Sequence, residues 1–250
     1  YAPYQKLSDN KKVEFLNHRL AWSQSQFLHG EQGALLVASQ LTSCAPTFNA
    51  KLYAASQTFD EARHVEAFNK YIQTRTKMMY PIGNALKSIL DKILTDPRWD
   101  LKFIGMQVII EGLALAAFQA SRDLTKDPVF RDMLGLIIRD EARHVTFGIN
   151  YLEEFVDTLT EQEKEDRAQF AYEACWLSRE RLVSMEVFEH FGMDAEEARQ
   201  FQLSSDITQL FQKLLFSRVM PNLRRIGLLR DSVKEKFEDL GILEYASAQS

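Results

Sequence analysis

At 250 residues and 46% hydrophobic, with 10 Gly and 6 Pro, the chain can bury one sizeable core and is expected to form a single domain over 1–250. A net charge of −5 without a long basic stripe argues against a nucleic-acid partner. Two isolated cysteines, Cys44 and Cys175, cannot make a disulfide framework and suit a reducing cytoplasm.

The opening Tyr-Ala-Pro-Tyr-Gln-Lys has no apolar signal core and no initiating methionine, so residues upstream are expected. Helices are predicted over about 10–42, 47–78, 82–95, 98–123 and 128–158, with breaks at Pro46, Pro81, Asp96-Pro97 and Asp127-Pro128. The first, second, fourth and fifth would form a bundle core over about 10–158, with 82–95 in the crossover between two hairpins. The most apolar stretch, 103–118, is shorter than the ~20 residues of a spanning helix and carries Gln107 and Glu111, so it reads as a bundle helix rather than a membrane segment.

Thr160-Glu161-Gln162-Glu163 resembles a capping box and opens a C-terminal extension, about 159–250, with helices predicted near 161–191 and 194–218. The stripe of Phe170, Trp176, Leu177, Phe188, Phe201, Leu210, Phe211 and Leu214 is most simply core; a homodimer interface over part of it is the alternative. Arg218, Arg224, Arg225 and Arg230 read as a solvated face rather than a docking site.

The chemistry lies in a duplication. Asp-Glu-Ala-Arg-His occurs at Asp60 to His64 and again at Asp140 to His144, and a lone glutamate, Glu31 or Glu111, stands 30 residues ahead of each motif glutamate. The whole set recurs at one offset of 80 residues. Within each motif, Glu61 and His64, or Glu141 and His144, are three apart and share a helix face. The midpoint between Glu31 and Glu61 falls on Pro46, and that between Glu111 and Glu141 on Lys126, both in predicted turns. Two antiparallel hairpins would therefore bring all six side chains to one height.

Apolar neighbours one turn away, such as Phe27, Leu28 and Leu35 around Glu31 and Ile137, Ile138 and Val145 around Glu141, aim these glutamates at the core. Four unpaired buried carboxylates would exceed the roughly 5–15 kcal/mol net stability of a domain. Two divalent cations balance them, and mixed oxygen and nitrogen ligands without thiolate suit iron or manganese. Asp60 and Asp140, four residues before the motif histidines on the same helix side, are placed to fix their tautomers. Arg63 and Arg143 would hold those aspartates from a buried position. His29, His18 and His190 read as structural or exposed, the last two having no carboxylate partner at ligand spacing. Gly30, Gly33, Gly112 and Gly148 serve either close helix packing or space for dioxygen and substrate.

One Glu from each of two helices, with Glu-x-x-His from each of the other two, is the carboxylate-bridged dimetal pattern. Residues 15–157 resemble the ferritin-like non-haem diiron superfamily, and the Asp-Glu-x-Arg-His form is similar to that of bacterial multicomponent monooxygenase hydroxylases and acyl-carrier-protein desaturases. Gly30-Glu31-Gln32, Ile109-Ile110-Glu111 and Ala116-Ala117-Phe118 resemble stretches of the cyanobacterial aldehyde-deformylating oxygenases. The resemblance implies an all-α, ferritin-like four-helix bundle. Glu31, Glu61 and His64 would bind largely one iron and Glu111, Glu141 and His144 the other, with some glutamates bridging. In the resembled families the aspartate–histidine pairing also runs between the two motifs.

The resemblance further implies an O₂-activating oxygenase or oxidase for a small organic or acyl-type substrate. A separate ferredoxin or reductase is expected, since no flavin or nicotinamide fingerprint is present. A ferroxidase or iron-handling protein, or a Mn/Fe ligand-binding oxidase, is the alternative.

Departures narrow the choice. Phe68 stands where the ribonucleotide reductase small subunit carries its radical tyrosine. Ala114 and Leu115 stand where hydroxylases and desaturases carry a threonine. Ile137 stands where arylamine N-oxygenases have an additional histidine.

Overall fold

The structure, a computed structural model, describes residues 1–247, and every regular element among these is helical. A short turn α1 (Ala2–Gln5) leads to the long helices α2 (Asp9–Cys44) and α3 (Phe48–Tyr71), joined by a tight turn at Pro46. The helix α4 (Asn84–Thr95) follows, then α5 (Trp99–Lys102), a wide π-helical segment (Phe103–Ile110) and α6 (Glu111–Leu124), which run on continuously. Helix α7 (Pro128–Val156) closes the second hairpin. Local chemistry sets these starts: Ser8, Thr47 and Asp127 each accept a hydrogen bond from the backbone of the first helical turn, and Pro128 begins α7 where no donor is needed.

Helices α2, α3, α5–α6 and α7 form the four-helix bundle, and α4 lies in the crossover, burying Leu86, Ile89, Leu90 and Ile93. Lys102 secures the crossover by donating to the Ile93 carbonyl (2.9 Å), near the end of α4, and to Gln40 Oε1 (2.7 Å). The stretch Trp99–Leu124 is long and apolar enough to cross a membrane, but 89% of its most apolar window is buried inside the protein. It is the bundle helix that its embedded Gln107 and Glu111 suggested.

The π turn was not expected. It buries every one of its eight residues and ends where Glu111 begins α6. Widened turns of this kind concentrate at functional sites. Helix α7 approaches it so closely that a β-carbon on Gly148 would sit 2.6 Å from Gln107 Cβ.

The C-terminal extension differs from expectation in three ways. The span 161–191 is broken: α8 (Glu161–Glu180) stops, 181–184 turn, and α9 (Met185–His190) follows. The span 194–218 also divides, into α10 (Ala195–Ser204) and α11 (Asp206–Arg225), because the Ser205 side chain caps a new helix start. Beyond it, α12 (Asp231–Asp239) packs Val233 and Phe237, and a 3₁₀ turn (Leu243–Ser247) packs Ala246, into the main core; residues 248–250 of the expected extension lie outside the described residues.

The aromatic stripe splits in the same region. Phe170 and Phe188 are buried, while Trp176, Phe201, Leu210 and Leu214 are exposed, so it is core only in part. Of the arginine cluster, Arg225 pairs with Glu153 (2.6 Å) and Arg230 with Glu161 (2.5 Å) and Glu165 (3.0 Å), tying this extension to α7 and α8.

Candidate metal centre

All six predicted side chains meet in the bundle interior, none more than 4% exposed. They form two overlapping groups, Glu31, Glu61, His64 and Glu141, and Glu61, Glu111, Glu141 and His144, whose potential ligand atoms lie within 4.8 Å of one another in each group. Glu61 and Glu141 belong to both. Each carboxylate has two oxygens, so these two side chains are placed to span two cation positions, with Glu31 and His64 on one side and Glu111 and His144 on the other.

His64 Nδ1 is 3.1 Å from both Glu31 Oε2 and Glu141 Oε1, and 3.2 Å from Glu61 Oε2. His144 Nδ1 is 3.1 Å from Glu61 Oε1 and 3.6 Å from Glu141 Oε2. Yet among the described residues Glu111 Oε2, both oxygens of Glu141 and His144 Nδ1 have no hydrogen-bond partner. Buried polar atoms are almost always satisfied. Here the unsatisfied ones cluster with lone pairs converging rather than pairing, as donors around a cation do. The residues present therefore fit a pair of divalent ions.

Electrostatics carries the same message. Burial, with the Glu141 charge, pushes Glu31 and Glu111 well above the usual carboxylate range. Burial would also raise Glu61, but contacts with His144 and His64 overcome it and hold that carboxyl at about 2. Burial opposes charge on the imidazoles too, but the surrounding glutamates prevail: His144 is raised to about 11 and His64 is raised further still. Without cations, this centre gathers protons to neutralise its carboxylates.

The aspartates fix the imidazoles in a crossed arrangement. His64 Nε2 lies 3.2 Å from Asp140 Oδ2 and His144 Nε2 lies 3.3 Å from Asp60 Oδ2. The expected pairing along one helix, Asp60 with His64 and Asp140 with His144, is not found; each histidine is held by the aspartate of the opposite motif, as the resemblance had implied. Arg63 bridges Asp60 (2.6 Å) and Asp140 (2.9 Å), and Arg143 bridges Asp140 (2.7 Å) and Asp60 (3.2 Å). The arginines are not buried as expected: their side chains are 46% and 57% exposed and cap the pair from the surface.

Three further residues border the site without belonging to either motif. Gln57 donates to Glu111 Oε1 (2.7 Å) and Glu61 Oε1 (3.2 Å), and Gln107 donates to Gln57 Oε1 (3.1 Å). Tyr53 stacks on Phe147 with ring centroids 3.6 Å apart beside His144, and burial followed by the Glu111 charge raises its hydroxyl pKa. The available signal was Gln57 lying one turn before Glu61. Eighty residues on, its counterpart is Ile137, so the two halves of the cluster have different surroundings.

The other histidines lie outside this centre. His29 bonds the Tyr80 carbonyl (3.0 Å). His18 stacks on His190 (4.3 Å) near Glu14, a carboxylate one turn earlier on α2 that the sequence reading did not count as a partner. The glycines divide: Gly148 and Gly33 sit in close contacts, with Gln107 and Leu90, whereas Gly30 has nothing within 4 Å of its β-position. Gly30, Phe27, Ala34 and Ala114 line a cavity of about 20 Å³ against Glu31, Glu111 and Glu141, room for one water-sized molecule.

A four-helix bundle enclosing a duplicated Glu and Glu-x-x-His array defines the ferritin-like non-haem diiron carboxylate superfamily, and the chain is a member. Its residues 2–227 match the model of the p-aminobenzoate N-oxygenase AurF family, to which the chain belongs; it is a diiron oxidoreductase. Ile137, the position at which the resemblance to arylamine N-oxygenases implied an additional histidine, is buried. Among solved structures, a protein with aldehyde deformylating oxidase activity from Synechococcus is similar at 17% identity, covering 85% of this chain and 91% of that chain with a TM-score of 0.64, a likeness of fold. No curated protein matches significantly.

Proposed function

We propose that this single-domain chain is an O₂-activating oxygenase or oxidase with two iron ions, one held by Glu31 and His64, the other by Glu111 and His144, and both bridged by Glu61 and Glu141. The observation that carries the reading is the membership of Glu61 and Glu141 in both ligand groups. When bound, two ferrous ions supply one electron each to dioxygen. The chain's own contribution is positional: Asp140 and Asp60 keep the Nε2 protons and leave Nδ1 free for metal, Gln57 orients Glu111, and Phe27, Ala34 and Ala114 keep bulk water from the cavity.

The substrate is a small organic or acyl-type molecule. The amine oxidation named for the family and the aldehyde chemistry named for the Synechococcus protein are both within this class. Electrons come from a separate ferredoxin or reductase, and the working location is the cytoplasm. The exposed part of the stripe formed by Trp176 and Phe201 would serve a homodimer. A Mn/Fe pair accepts the same ligand set and is the second reading of the metals.

Anaerobic loading with ferrous iron followed by O₂ tests the function. Oxidation confined to two irons per chain supports an enzyme, whereas hundreds of irons retained per assembly would mean a ferroxidase or storage protein.

A further inference from the structure

Resting on the diiron reading, we infer that Arg181 is the anchor for the carboxylate of an aliphatic monocarboxylic acid, held beside the metal centre with its tail in the adjoining apolar chamber.

The break after α8 creates this site. Had the helix continued as expected, Arg181 would be one more position on its surface; instead the chain turns there, and Arg181 lines three neighbouring spaces. One is the small cavity against Glu31, Glu111 and Glu141. The second is a chamber of about 190 Å³ whose apolar wall includes Phe27, Leu113, Ala117, Phe211 and Leu215. The third is a smaller pocket of about 60 Å³ toward Glu180 and Glu186.

Among the described residues Arg181 has no carboxylate within 4 Å, and its Nη1 is buried without a hydrogen-bond partner. The acids in the same wall are engaged elsewhere. Glu180 accepts from Arg199 (2.5 Å), and Glu186 accepts from Trp22 Nε1 (2.9 Å). Burial alone acts on the Arg181 guanidinium, lowering it to about 10. A buried guanidinium without a counter-ion is unfavourable, and its planar fork matches a carboxylate.

The length of the ligand follows from the apolar path. Ile207 and Phe211 line both the chamber and an open groove of about 540 Å³, which continues past Leu124, Leu210 and Leu214. The route from Arg181 outward is therefore elongated and apolar, which suits a linear alkyl tail better than a single ring. The carbons next to the acid group, rather than the tail end, then lie nearest the metals.

Isothermal titration of the full chain with dodecanoate, methyl dodecanoate, dodecanol and p-aminobenzoate, both metal-free and anaerobically loaded with ferrous iron, tests the assignment. Dodecanoate should bind in both forms, and its methyl ester and alcohol about tenfold to a hundredfold more weakly. Arg181→Met should lose a similar factor yet raise the melting temperature of the ligand-free protein, because it removes an unpaired buried charge; Arg181→Lys should recover part of the binding. Equal binding of acid and ester, undiminished binding by Arg181→Met, or no binding by the wild type would overturn the proposal, and p-aminobenzoate binding as tightly as dodecanoate would overturn its aliphatic part. The two readings fail separately: dodecanoate binding without O₂ consumption by the iron-loaded protein faults the diiron reading, and O₂ consumption without acid binding faults this one.

Discussion

His64 Nε2 lies 3.2 Å from Asp140 Oδ2, an aspartate 76 residues away on the other hairpin, and the reciprocal contact joins His144 to Asp60. Each half of the duplicated sequence thus orients the imidazole of the other. The two hairpins cannot slide relative to one another without misdirecting both Nδ1 atoms. Asp140→Asn keeps the side-chain shape but removes the charge that fixes the His64 tautomer. Iron affinity should fall about 10–100-fold with helicity unchanged, read by ferrous titration beside circular dichroism. Unchanged affinity would mean the crossed contact has no positioning role.

Gln57 makes the two halves of the carboxylate and imidazole cluster unequal. It supports Glu111 and Glu61, and its repeat counterpart Ile137 donates nothing. Gln57→Leu should therefore weaken the position between Glu111 and His144 more than the other, because its shorter contact is to Glu111 while Glu61 belongs to both, and should separate a two-site titration isotherm into a tighter and a weaker step. Equal weakening of both steps would contradict this asymmetry.

Stability should depend on pH in opposite ways with and without metal. In the metal-free protein Glu31, Glu111, His64 and His144 all have raised pKa values. Groups raised in the folded state stabilise it below their unfolded pKa, near 4.5 for the glutamates and 6.5 for the histidines, and that stabilisation is lost as pH climbs through the folded values, about 11 for His144. Glu61, lowered to about 2, runs the other way but is already ionised throughout this range. Cations displace the protons and remove the penalty. The melting-temperature gap between iron-loaded and metal-free protein should widen from pH 6 to pH 9 under anaerobic conditions, and a gap that narrows would refute the account.

Two glycines of similar helical setting should respond differently. Gly148→Ala forces a β-carbon against Gln107 Cβ at 2.6 Å and should cost about 1–3 kcal/mol in urea unfolding. Gly30→Ala meets no atom within 4 Å and should be neutral or stabilise by up to about 1 kcal/mol, while narrowing the cavity beside Glu31. Similar losses at both positions would show that Gly30 is also a packing residue.

The pattern of what could be read beforehand follows from where periodicity reaches. Glu31, Glu61, Glu111 and Glu141 were legible because the offset of 80 residues and the turns at Pro46 and Lys126 place them at one height whatever the packing details. The crossed partners of His64 and His144 depend on the distance between α3 and α7, which residue spacing along one helix does not encode; the resemblance alone pointed to them. Gln57 has no repeat partner, and glutamine in a core stripe carries no motif. The breaks at 181–184 and at Ser205 were hidden because neither contains Gly or Pro, and they are set by tertiary packing and by one side-chain cap. Arg181 was hidden with the first of them.

Anomalous diffraction at the iron edge, on crystals grown anaerobically with ferrous iron, locates the ions themselves. Two peaks should appear inside the bundle, each within coordinating distance of one histidine Nδ1 and of both Glu61 and Glu141. A single peak, peaks only at the surface, or two ions sharing neither glutamate would contradict the bridged diiron reading.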